Sequence, residues 1–337
     1  MPTSDMYPKK RLIFAGLGEV LFDVFEDGTA TLGGAPLNVA LHAHQLATAF
    51  GLGEGIVVSR VGDDREALQI RDALTERGMS THYVQTDLSH HTGTVSVFMR
   101  NGEPGYQIER DAAWDFLERD SALDDLAATC DAVCFGSLAQ RSPRSRETIR
   151  AFLGLASTAV RLYDVNLRRN TLTEERGYDA ETLETSCGIA TIVKVNSDEL
   201  FEIAALFGMN AREADEEEVM PELANSLRKR LSIATLIVTR GSRGTTLFTR
   251  EGEFHGHVPL VALKDVHPVG AGDACTAGIL FATVLGFTPD AAVDLGNRMG
   301  AWVASHRSAT PKLSDEIVTF IGTLEQTLNT HEVGSLG

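Results

Sequence analysis

The chain has 337 residues, 43% hydrophobic and 23% charged. That is an ordinary globular balance, with enough apolar material for one large α/β domain. With 30 Lys and Arg against 47 Asp and Glu, the formal net charge is −17. This argues against a nucleic-acid or anionic-membrane surface, while leaving room for an anionic ligand held by backbone N–H groups.

The elements follow in chain order. "RLIFAGLGEVLFDVF" (11–25) reads as an apolar strand running into a second extended piece. Glu19 and Asp23 interrupt it, so it reads as a first strand rather than a signal peptide, and no run of about 18 apolar residues predicts a membrane span. "GGAPLNVALHAHQLATAFG" (33–51) predicts a helix opened near Pro36 and closed by Gly51. "GIVVSRVGDD" is a strand and turn, and "DREALQIRDALTERG" is an amphipathic helix ended by Gly78. "TGTVSVFMRNGEPGYQIE" (92–109) predicts a hairpin around "NGEPG". Short apolar strands follow in 131–139, 159–168, 189–200 and 233–248, separated mostly by helix-length segments. The rhythm predicts βα units on a mostly parallel sheet, with the hairpin as a small separate sheet. The acidic run at 211–222 reads as a solvated face. Cys130, Cys134, Cys187 and Cys275 form no Cys-x-x-Cys pair, so reduced thiols and a cytoplasmic location are expected.

In such a sheet, ligands gather at the carboxyl ends of strands. Polar residues that break the apolar pattern fall there: Asp23, Gly33, Gly34, Asn38, Asp164, Asn166, Arg168, Asn196, Glu199 and the 239–244 loop. One further stretch, "HPVGAGDACTAG" (267–278), sets a carboxylate at the start of an apolar helix. A helix N-terminus offers unpaired N–H groups and a partial positive charge. Gly270-Ala271-Gly272 can therefore form an anion hole, with Asp273 in the first turn held ionised by the dipole. A carboxylate beside a bound phosphoryl group is placed to take the proton of an incoming hydroxyl. The competing reading of Asp273 is a plain acidic N-cap.

Five stretches in order resemble the ribokinase/PfkB family of carbohydrate kinases: "GEVLFD", "GGAPLNVALHAHQL", "KVNSDE", "VTRGSRG" and "GAGDACTAG". "YDVNLR" and "AWDF" further resemble its fructokinase-like branch. The resemblance runs from about residue 11 to 312. It implies a single α/β domain over 1–337: a ribokinase-like three-layer α/β/α sandwich with a mostly parallel central sheet and a small β lid from about 22–33 and 92–112. It implies MgATP-dependent phosphorylation of a sugar, fructose first, with Asp273 as base and Gly270, Ala271 and Gly272 as anion hole. By the same resemblance Asp23, Gly33, Gly34 and Asn38 bind sugar hydroxyls, and Thr94, Phe98 and Gln107 are lid residues facing the sugar. Asn196 and Glu199 organise magnesium and phosphate, often through water, and Asn196 belongs to the nucleotide site. Thr239, Gly241, Gly244, Gly272 and Asn297 border the nucleotide. Arg168 is a cation for a sugar or phosphate group, or else an ion-pair partner of Asp164. A homodimer through the lid is also expected.

The chain departs from the family where His267-Pro268-Val269 replaces the usual Asp-Thr pair and the variable residue after it. A neutral His supplies no anionic oxygen, so potassium activation is placed in doubt. Alternative substrates are 2-keto-3-deoxygluconate, whose carboxylate Arg168 or Arg100 would clamp, another ketohexose or a nucleoside. A non-catalytic sugar-binding protein is the rival of another class. "AGLGEVL" lacks the third glycine of a dinucleotide fingerprint, no P-loop is present, and His255 with His257 lack a third metal ligand nearby.

Overall fold

The computed structural model describes residues 10–100, 103–171, 173, 176–209, 216–256 and 267–334. The chain opens with β1 (Leu12–Leu17), β2 (Leu21–Phe25) and β3 (Ala30–Gly33), then α1 (Ala35–Ala49) and β4 (Gly53–Gly62). Next come α2 (Arg65–Glu76), β5 (Val84–Asp87), β6 (Gly93–Arg100) and β7 (Glu103–Ile108). After these lie α3 (Ser121–Thr129), β8 (Ala132–Phe135), α4 (Pro143–Leu155), β9 (Val160–Asp164), α5 (Ala180–Ile189) and β10 (Ile192–Asn196). The chain continues through α6 (Ser197–Leu206), α7 (Glu216–Arg230), β11 (Thr235–Thr239), β12 (Thr245–Phe248) and β13 (Glu253–Gly256). It closes with α8 (Ala271–Val284), α9 (Pro289–Ala304) and α10 (Asp315–Gly334).

Nine strands form the main sheet in the order β13-β12-β11-β10-β9-β8-β1-β4-β5, antiparallel only at the β12–β13 edge. The 233–248 stretch is thus two strands rather than one: Gly241 (φ 55) and Gly244 (φ 87) turn the chain back between β11 and β12. A smaller mixed sheet runs β3-β2-β6-β7. Strand alternation feeds both layers. Phe14 and Cys134 pack with α1, α8 and α9, while Leu17 and Phe135 pack with the layer of α3 to α7. This is the three-layer α/β/α sandwich the sequence predicts.

The chain leaves β1 for β4 on one side and later adds β8, β9, β10 and β11 on the other. The sheet order therefore reverses between β1 and β8, and a crevice opens at their carboxyl ends. Helix α8 reaches this crevice because it is buried along most of its length, with every residue from Ala274 to Ala282 inside. It lies close against α9 at two glycines: a Cβ on Gly278 would stand 3.0 Å from Gly296 Cα. Gly278→Val should cost about 2 kcal/mol or more through overpacking, read as a lower urea midpoint at unchanged slope.

Candidate active site

Helix α8 starts at Gly270, whose φ of 81° is left-handed and which offers no side-chain cap. A Cβ there would lie 2.6 Å from the Ala309 methyl. The Ala271 amide donates to the Pro268 carbonyl at 3.1 Å, while the amides of Gly272 and Asp273 have no intrahelical carbonyl four residues back. Asp273 is not the N-cap, which removes the plain capping reading. It sits within the first turn, half-buried, and its Oδ2 accepts from Asn38 Nδ2 at 2.8 Å. Burial and the nearby Asp164 charge push the Asp273 carboxyl up to about 6, against the Asn38 bond, Lys194 and Arg168. The helix dipole was expected to keep it acidic; desolvation wins instead.

Around Asp273 the crevice is lined by acceptors. Asn38 is 5% exposed and its Oδ1 has no partner among the described residues. Asp23 lies on β2, its carboxyl raised by burial and lowered by Arg168. A Cβ on Gly33 would come within 2.7 Å of Asp23 Oδ2, and one on Gly34 within 2.4 Å of the Glu19 carbonyl. The glycine pair thus leaves room for Asp23 and for the turn out of β1. Glu19 was not foreseen as a site residue. It is 3% exposed, with Oε2 unpartnered among the described residues. Burial pushes it up to about 7, aided by Asp273 and opposed by Arg168. Arg168 is exposed, and its guanidinium donates to the Leu167 carbonyl at 3.2 Å. It is not the partner of Asp164, because Lys194 is: Lys194 Nζ donates to Asp164 Oδ2 at 2.8 Å. Burial alone would lower the Lys194 ammonium; Asp164, through its charge and hydrogen bond, together with Cys275 and Glu199, reverses this.

Farther along the strand ends, Asn196 and Thr239 are register partners on β10 and β11. Asn196 and Glu199 form a capping box. Asn196 Oδ1 accepts from the Glu199 amide, and Glu199 accepts from the amides of Asn196 and Leu167 at 2.8 and 2.7 Å. Their first duty is to cap α6, and burial raises the Glu199 carboxyl. On α9, Asn297 Oδ1 accepts from Thr245 Oγ1 at 2.6 Å. Its Nδ2 has no partner among the described residues and lies 3.7 Å from where a Gly244 Cβ would be. That leaves a buried donor beside the 240–244 turn.

The small sheet separates the remaining candidates. Thr94 pairs with Phe22, Asp23 with Val95, and Gln107 with Ser96. Alternation puts Thr94, Phe98 and Gln107 on the face opposite Asp23, whereas Val95 and Ile108 share its face. The three thus lie on the face of the small sheet opposite the one that carries Asp23. The Arg100 side chain and His257 lie outside the described residues. His255 Nδ1 pairs with Thr246 Oγ1 at 3.1 Å. Among the described residues no group of three or more His, Cys, Asp or Glu could hold a metal, and no helix is long and apolar enough to cross a membrane.

Comparison with known proteins agrees with this fold. Residues 22–316 match the family model described as pfkB family carbohydrate kinase. The fructokinase of Escherichia coli is 30% identical over 322 residues, covering 88% of this chain and 94% of that protein. The crystal structure of a fructokinase with bound ATP from Xylella fastidiosa superposes with a TM-score of 0.74 at 22% identity, covering 95% of this chain and all of that one. The aminoimidazole riboside kinase of Salmonella enterica reaches 0.69 at 22% identity, covering 92% and 99%. At such identities the two structures speak for the fold.

The raised Asp273 carboxyl carries a stability consequence. Its folded value lies above the ordinary 3.8, so wild-type stability falls as pH rises through that window up to about 6 and stays lower above it. Asp273→Asn should therefore raise the thermal midpoint relative to wild type at pH 8. The gain should shrink as pH falls toward 4; an equal gain at both ends would contradict the buried charge.

Proposed function

The chain belongs to the pfkB family of carbohydrate kinases, and on that premise we propose that it moves the γ-phosphoryl group of ATP onto a sugar hydroxyl, with fructose as the sugar. The observation that carries the mechanism is Asp273, held by Asn38 beside the open first turn of a buried helix. The hydroxyl oxygen forms a bond to the γ-phosphorus while the bond to ADP breaks, and the hydroxyl proton passes to the Asp273 carboxylate. The amides of residues 270–272 hold the charge on the migrating group. A carboxyl raised to about 6 is still mostly ionised at pH 7 and is a stronger base than an ordinary aspartate.

On the sugar side, Asp23, Asn38 and the Gly33-Gly34 pair offer acceptors and close approach to a polyol. The small sheet of β2, β3, β6 and β7 serves as a lid that excludes water. Thr94, Phe98 and Gln107 are the candidate sugar-facing residues of that lid. The nucleotide borders Thr239, Gly241, Gly244, Gly272 and Asn297, whose Nδ2, unpartnered among the described residues, suits a nucleobase acceptor. Asn196 and Glu199 are engaged by backbone amides. They fit a magnesium ion that keeps its waters and phosphate oxygens rather than a protein cage. When bound, that ion neutralises phosphate charge. A homodimer through the lid belongs to the same reading.

The support for fructose is the name of the Escherichia coli relative together with the "AWDF" and "GGAPLNVA" stretches. A second reading, 2-keto-3-deoxygluconate, is favoured by Arg168, an exposed guanidinium that no carboxylate engages among the described residues.

The test is ADP release with MgATP on fructose, 2-keto-3-deoxygluconate, ribose and adenosine. Turnover on fructose is expected, reduced about 10²–10⁴-fold by Asp273→Asn. The acid limb of kcat/KM should fall below a midpoint near 6, the value to which the Asp273 carboxyl is raised. Binding of sugar without turnover would instead support a non-catalytic protein. In sodium, in potassium and in neither, rates should be equal, since His267 offers no anionic oxygen; strong potassium activation would overturn that part.

A further inference from the structure

Behind the mouth of α8 lies a second polar cluster. Asp164 ends β9, Lys194 faces it across β10, and Thr276 is on α8; they are 4%, 5% and 0% exposed. Asp164 Oδ2 accepts from Lys194 Nζ at 2.8 Å and from Thr276 Oγ1 at 2.7 Å. The Thr276 hydroxyl also lies 2.9 Å from the Gly272 carbonyl, one turn back and next to Asp273. Lys194 Nζ stands 3.8 Å from where a Gly272 Cβ would be.

A buried ion pair is a poor way to gain stability, because apolar residues of equal volume often do as well or better. This one sits directly behind the turn that carries the base. We propose that Asp164 and Lys194 are positioning residues for Asp273, anchoring the first turn of α8 to the sheet through Thr276 and balancing charge behind the carboxylate. The inference rests on the reading of Asp273 as base.

The charged and titratable groups around Asp273 define what the pair does. Asp164 and Lys194 act from β9 and β10, and Arg168 from the loop after β9. Glu19 acts from the end of β1 and Cys134 from β8. From α1 comes the neutral donor Asn38. Of the two members of the pair, Asp164 disfavours the ionised base and Lys194 favours it. Removing the Asp164 charge alone therefore leaves an uncompensated cation behind Asp273 and makes it more acidic. Removing both charges changes the balance less.

The experiment is a carboxyl-carbon NMR titration of the full chain, with the Asp273 resonance assigned by its loss in Asp273→Asn. In Asp164→Asn the Asp273 midpoint should fall by about one unit or more. In the double variant Asp164→Asn/Lys194→Gln the fall should be smaller. An unmoved midpoint in folded Asp164→Asn overturns the proposal. Because this readout needs no turnover, it stands even if every sugar of the panel is inert, an outcome that would count against the kinase reading alone. Should Asp164→Asn not fold, Thr276→Val carries the test. Its kcat should drop about tenfold with KM within twofold, and Thr276→Ser should restore it. Wild-type kcat in Thr276→Val overturns the anchoring role.

Discussion

The site depends on the burial of α8. Its residues Ala274 to Ala282 are all inside the fold, and burying that many apolar side chains drives the helix between the sheet, α1 and α9. Once the helix is fixed, its N-terminus has one place to emerge, the crevice where the strand order turns around β1 and β8. Asp273 is the first carboxylate along a helix that otherwise tolerates none. Its exposure to the crevice and its separation from bulk water both follow from where the apolar stretch begins. The same burial raises its proton affinity, so packing and basicity have one physical origin.

The second constraint is charge. Glu19, Asp23, Asp164 and Asp273 converge on the strand ends, and burial pushes Glu19, Asp23 and Asp273 toward the neutral form. Arg168 opposes this shift at all three, and Lys194 does so at Asp273. An acidic crevice is therefore kept ionisable by two cations, one exposed and one buried. A crevice rich in unpartnered acceptors suits a ligand rich in hydroxyl donors, and the helix amides beside it suit an anion. That pairing of opposite preferences within one crevice is what a phosphoryl transfer to a polyol requires.

Much of this was legible in the chain. The small residues before Asp273, the glycine pair before α1 and the βα rhythm each encode a local backbone need, and local needs are what a sequence displays. Asn196 and Glu199 were legible twice over, since the same spacing that suggests a metal and phosphate site also writes a capping box. Lys194 was not visible. In "TIVKVN" it resembles an ordinary strand lysine, and only the neighbouring strand, thirty residues earlier, supplies Asp164. The facing of the lid residues was hard to read for a related reason. Alternation is plain within β6, but which alternate set faces the crevice depends on pairing with β2, and a shift of one position exchanges the faces. Glu19 was read only as an interruption in a strand, because nothing local signals that the chain leaves one sheet for another there.

Gly270 is backed by Ala309, and that contact ties the site to the end of the fold. The neutral His42 imidazole, its proton affinity lowered by burial, donates from Nε2 to the Ala309 carbonyl at 3.0 Å. Gln45 Nε2 donates to the Pro311 carbonyl, and Gln45 Oε1 accepts from the Leu313 amide. The helix that carries Asn38 is thus latched to a segment some 270 residues downstream, a loop closure with a large entropic cost. During synthesis on the ribosome, the face of α1 that meets α8 stays uncovered until that segment emerges. The nascent chain therefore cannot fix the start of α8 early, and it must keep an apolar helix face from misassociating through nearly the whole of its translation.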